Sequence, residues 1–146
     1  MTRRYRPVAS RWVILFLCGF VSLAVTANAQ TPWFSTTVES KNGIFLVTFE
    51  STQSEFALNE FRTWHLVLQD KHTGAGVSPA RFSIGGGMPM HGHGLPSQPQ
   101  VAKHLGDGRY VIDGVRFNML GKWLFEFDIA TKDASDSVSF EVIVDY

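Results

Sequence analysis

The chain holds a single cysteine, Cys18, and it lies inside an apolar run near the N-terminus. Everything after that run is free of cysteine, which excludes disulfides, thiol nucleophiles and cysteine-type zinc sites from the remainder. Long apolar segments are missing too. The longest, residues 12–25, spans fourteen residues, short of the roughly 20 needed to cross a bilayer. Helical periodicity is equally scarce, since the one candidate, residues 55–61, amounts to a single turn. Hydrolytic chemistry has no foothold, because there is no Gly-x-Ser-x-Gly element and no carboxylate pair stands out.

What is present begins with an export pattern. Arg3, Arg4, Arg6 and Arg11 precede the apolar run, and Ala27-Asn28-Ala29 ends it with small residues in an Ala-x-Ala arrangement. A basic start, a short apolar centre and such a site describe a secretory signal peptide over residues 1–29. An uncleaved anchor is disfavoured by length. Lipid attachment at Cys18 is disfavoured by Leu17 before it and by the long remainder of the signal after it. Cleavage after Ala29 leaves residues 30–146 as one domain starting at Gln30. That start argues against enzymes that bind copper through an N-terminal histidine, and a non-enzymatic role is expected.

Four of the thirteen Lys and Arg leave with the signal while all thirteen acids stay, so the mature charge is about −4. A mildly acidic surface argues against nucleic acid and anionic membranes as partners. Membrane contact is expected only through the transient signal. The oligomeric state is not written in the sequence.

The mature part alternates in short stretches. Ile44 to Phe49 is apolar on both alternating sets, which predicts an internal strand buried on both faces. Trp64, Leu66 and Leu68 share one face of the next strand, and Ala80, Phe82 and Ile84 one face of another. Residues 109–113 read as a strand, and Val115, Phe117 and Met119 continue an alternation. Trp123, Phe125, Phe127 and Ile129 form the cleanest apolar face, and Val138, Phe140, Val142 and Val144 repeat it. Turn signals fall at Asn42-Gly43, residues 70–78, Asp107-Gly108 and residues 131–137. About seven strands without a convincing helix predict an all-β, antiparallel immunoglobulin-like β-sandwich.

One stretch stands apart. Residues 85–100, GGGMPMHGHGLPSQPQ, gather five glycines, three prolines, two methionines and two of the chain's five histidines. It is expected to be a loop, and one longer than about 12 to 15 residues is usually functional or disordered. His91 and His93 stand at i and i+2, so an extended backbone puts both imidazoles on one side. Met88 and Met90 have the same relation, and the glycines allow a bend that brings sulfur and nitrogen together. Thioether sulfur selects copper, above all Cu(I), and imidazole serves copper or zinc. Copper is thus the expected metal, with Met88, Met90, His91 and His93 as candidate ligands. The alternative is that the methionines plug the open end of the sandwich and the histidines are merely solvated. Met119, His104 and His65 are weaker candidates to complete a site, and His72 reads as a turn residue.

The same run, followed by LGDGRYVIDGVRFNMLGKW with its Asp-Gly-x-Tyr and Gly-x-Trp elements, resembles the YtkA-like or FixH-like domains of exported bacterial proteins over roughly residues 56–144. The resemblance implies an Ig-like sandwich outside the cytoplasmic membrane, periplasmic or otherwise secreted. For some members it implies copper handling or respiratory-oxidase maturation, with a protein partner that receives the copper. Carried over by residue it covers Met88, His91 and His93, with Met90 between them. Arg62 is a departure, because similar domains have histidine before the Thr-Trp pair.

Overall fold

The computed structural model describes residues 34–51, 53 and 57–145. The expected signal peptide lies outside them. Nine strands follow in order: β1 Phe34–Glu39, β2 Phe45–Ser51, β3 Phe61–Asp70, β4 Arg81–Met88, β5 His93–Gly94, β6 Gln100–Gly106, β7 Arg109–Arg116, β8 Gly121–Ala130 and β9 Ser135–Val144. A 3-10 turn, Pro89–His91, separates β4 from β5.

The strands form two antiparallel sheets, ordered β1-β2-β3-β7-β6 and β5-β4-β8-β9. The run β2-β3-β7-β6 has the A-B-E-D order of an immunoglobulin domain, and β4-β8-β9 the C-F-G order, with β5 added beyond β4. β1 extends the first sheet by one strand. The sequence-based expectation of an antiparallel Ig-like sandwich therefore holds, with two more strands than the expected seven.

Alternation explains which side chains fill the space between the sheets. Trp64, Leu66 and Leu68 of β3, and Trp123, Phe125, Phe127 and Ile129 of β8, are all buried. Phe140 of β9 lies 4.4 Å from Phe49 of β2 between ring centres. Trp64 of β3 sits 4.8 Å from Phe125 of β8. Those two strands occupy the places that the inter-sheet disulfide joins in antibody domains, so an aromatic contact bridges the sheets in this cysteine-free protein. Each such ring contributes roughly 1.5 to 3 kcal/mol by leaving water.

Three stretches outside residues 85–100 differ from the sequence-based expectation, each for a local reason. β1 was not expected, because its inward residues Phe34, Thr36 and Val38 are only half-buried on an edge strand. β6 escapes because its register with β7 shifts twice, between Val101 and Lys103 and between His104 and Gly106. Such irregularities break the two-residue period that identifies a strand. β2 was expected to be buried on both faces. It is internal, between β1 and β3, but only Phe45, Val47, Phe49 and Ser51 are buried.

The two ends of the sandwich are built differently. At one end the β1–β2 turn is tied to β9 by Asp136, whose carboxylate accepts the Asn42 amide at 3.0 Å and the Asn42 side-chain amide at 2.9 Å. Burial would raise the Asp136 pKa. Hydrogen bonds from the Ser40 hydroxyl and the Ser137, Asn42 and Ile44 amides outweigh it and hold the group below its ordinary value. The opposite end carries the β4–β5 hairpin, the connection from β7 to β8 and the start of β3.

Candidate functional site

The stretch expected to be a loop is mostly ordered structure. β4 continues through Gly85, Gly86 and Gly87 to Met88, and β5 pairs back on it, Gly87 with Gly94 and Met88 with His93. Strand interiors disfavour glycine, so the sequence pattern ends the strand at Ile84. Close backbone approach is the reason it goes on. A Cβ at Gly86 would stand 2.1 Å from the Leu124 carbonyl oxygen, and one at Gly87 would stand 2.1 Å from that of His93. Their φ angles of +131° and +149° are also outside what side-chain-bearing residues adopt comfortably.

The reversal after Met88 has its own signals. Pro89 starts the 3-10 turn and Gly92, at φ 65°, ends it in the left-handed region. Proline early and glycine at the close is the usual asymmetry of a helical turn. The Gly92 amide donates to the Pro89 carbonyl at 3.2 Å.

This turn divides the four expected ligands. Met88 falls on the inward side of β4, in register with Ile84, and is 1% exposed. Its methyl end lies against Gly121, where an added Cβ would meet the Met88 Cε at 3.0 Å. Met88 therefore plugs this end of the core, as a flexible thioether does well. Met90, beyond the turn, is 88% exposed. His91 and His93 are exposed as well, and their rings lie 6.4 Å apart between centres with planes only 10° from parallel. The expectation that all four side chains gather at one place is corrected for Met88: the alternation of β4 carries it inward, and the turn carries the other three outward.

Beside the turn runs a groove of about 470 Å³ lined by Pro89, Met90, His91, Lys122, Leu124 and Glu141. Lys122 and Glu141 form an ion pair at 2.9 Å across β8 and β9. These flanking residues were not singled out in the sequence. Their outward positions on β8 and β9 follow from the alternation, but only the pairing of β4 with β8 puts them next to the histidines.

Of the weaker candidates, the three histidines lie elsewhere. His104 on β6 stacks on Tyr110 with ring centres 4.8 Å apart, and the Tyr110 hydroxyl donates to the Val77 carbonyl at 2.9 Å. Burial raises the pKa of that tyrosine. His65 is exposed on β3, opposite Glu50 on β2 and Val111 on β7. His72 is exposed in the turn after β3, where its amide donates to Asp70. Met119 is half-buried against the core, and its carbonyl accepts the Trp123 indole N–H at 3.1 Å. Arg62 is 4% exposed on the inner face of β3 and so is not part of the exposed cluster.

Among the described residues no three of histidine, cysteine, aspartate and glutamate converge as ligands for one ion. The exposed cluster therefore offers two imidazoles and one thioether, a neutral and soft donor set. A larger groove of about 560 Å³ on the same sheet is lined by Lys41, Arg81, Ser83, Asp128 and Ser137 among others. It mixes charges of both signs and carries no soft donor. Protein-family models, curated proteins and solved structures give no match to this chain, so its chemistry has to be read from its own side chains.

Proposed function

We propose that the protein is an exported, non-enzymatic domain that holds Cu(I) at the tip of the β4–β5 hairpin and passes it to a protein partner. His91 and His93 are the ligands, with Met90 as a third, soft donor. Met88 serves the fold instead. The observation that carries this reading is the near-parallel pair of exposed imidazoles beside an exposed methionine.

The distance between ring centres leaves room for a two-coordinate ion once the stacked rings turn their nitrogens toward it. A metal–imidazole bond of about 2.0 Å places each ring centre roughly 3.1 Å from the metal, so rings on opposite sides of one ion are about 6 Å apart. The separation here is 6.4 Å. Cu(I) accepts two or three donors and favours thioether sulfur, whereas a structural zinc ion takes four ligands. Exposure suits transfer, because a partner reaches the ion without opening the sandwich. Export rests on the pattern of residues 1–29, which places the domain in the periplasm or outside the cell. The YtkA-like or FixH-like resemblance is part of the same proposal.

A second reading has its own observation. Met90 is 88% exposed and Ile143, paired with Lys122 on the same sheet, is 63% exposed. An Ig-like interaction module without metal would use these side chains as contacts. Titration with Cu(I) against a chromogenic chelator separates the two. The protein is expected to compete for the ion, and a double His91→Ala, His93→Ala variant to lose that ability. Equal behaviour of the two proteins would overturn the copper reading and leave the contact module.

A further inference from the structure

The hairpin tip is an incomplete site for any ion that wants four donors. It supplies two imidazoles, and no carboxylate, cysteine or further histidine among the described residues converges on them. A borderline divalent ion such as Zn²⁺ takes four nitrogen, sulfur or oxygen ligands in a tetrahedron. Both histidines are exposed at the end of a hairpin, so nothing among the described residues blocks a second set of donors.

We propose that a divalent ion joins two copies of this chain, each contributing His91 and His93 to a four-imidazole site. The inference rests on the reading of these two histidines as ligands, but it concerns a different ion and a different assembly from the Cu(I) monomer. A two-fold axis through the ion satisfies the symmetry of such a pair, because each copy presents the same patch. Tetrahedral ligation needs ring centres roughly 5 Å apart for a metal–nitrogen bond of about 2.0 Å. The present separation is 6.4 Å, a difference that rotation of two exposed side chains supplies.

The surroundings of the tip favour a second copy as the other half. Pro89, Met90 and Leu124 line the groove next to His91, so two tips brought together cover apolar surface that each leaves in water. Four neutral imidazoles leave the charge of the ion uncompensated. Glu141 lines the same groove as His91, so each copy brings a carboxylate to this face, outside the ligand shell. Its partner Lys122 is held in a surface ion pair with more than half of each side chain exposed. Such an exposed pair is weak and yields readily to a stronger local charge.

Sedimentation velocity of the purified protein with zinc sulfate tests the proposal. The expected result is a shift from monomer to dimer that saturates at one zinc per two chains. Single His91→Ala and His93→Ala variants are expected to lose that shift while keeping the thermal unfolding of the unaltered protein, and His72→Ala, in the turn after β3, to dimerise as the unaltered protein does. A protein that stays monomeric with zinc, or a dimer that survives in both histidine variants, overturns the proposal. Loss of Cu(I) competition with zinc dimerisation intact strikes the copper reading alone and supports this one.

Discussion

The two halves of the glycine-, methionine- and histidine-rich stretch do opposite work. In residues 86–88 every position is constrained: Gly86 and Gly87 are pressed against the backbones of β8 and β5, and Met88 is sealed into the core. In residues 89–93 the side chains project from a short turn and meet little of the protein. One compositional anomaly thus contains a foundation and a working tip. The difference teaches that residue type alone does not assign a ligand, since two methionines a single residue apart have 1% and 88% exposure.

That contrast can be broken from either side, and the effects on stability should descend in order. Gly87→Ala is expected to be the most damaging, at about 4 kcal/mol or more, because a Cβ at this φ meets a carbonyl that cannot retreat without opening the hairpin. Urea denaturation measures it. Met88→Ala should lower stability by about 2 to 5 kcal/mol in the same assay, while Met88→Leu stays within about 1.5 kcal/mol. Both Met88 variants are expected to retain Cu(I) competition as far as they remain folded.

The far end of the sandwich provides a control. Asp136→Ala removes the acceptor for the Asn42 and Ile44 amides and should cost about 1 to 3 kcal/mol, leaving metal binding unchanged. Because the folded carboxyl is held below its ordinary value, its contribution is fully present above the unfolded pKa of about 3.9 and drains away as pH falls through the folded value. Acid unfolding below about pH 4 should accordingly be less steep in the variant. The smallest change in stability, within about 0.5 kcal/mol, is expected for His91→Ala and His93→Ala, as for surface substitutions generally. These are the variants expected to abolish binding.

Much of the sandwich was legible because its inner faces repeat with period two. Trp64 to Leu68, Trp123 to Ile129 and Val138 to Val144 announced β3, β8 and β9 without ambiguity. The edge strands of the five-stranded sheet, β1 and β6, were not. Thr36 and the run Ala102, Lys103 and His104 carry no apolar signal, and the bulges of β6 hide what periodicity remains. At the candidate site the sequence identified the unusual stretch and the histidine pair. It did not show that β4 runs through three glycines, since that depends on how closely β8 and β5 approach. That extension fixes the phase in which Met88 turns inward. Lys122, Leu124 and Glu141 became neighbours of the tip only through strand order, which no local pattern encodes.

Copper K-edge X-ray absorption on the Cu(I)-loaded protein tests the division between foundation and tip most directly. The account predicts an ion with two imidazole nitrogens and one sulfur, with the sulfur signal lost in Met90→Leu and retained in Met88→Leu. A sulfur signal that survives Met90→Leu and disappears in Met88→Leu would contradict it.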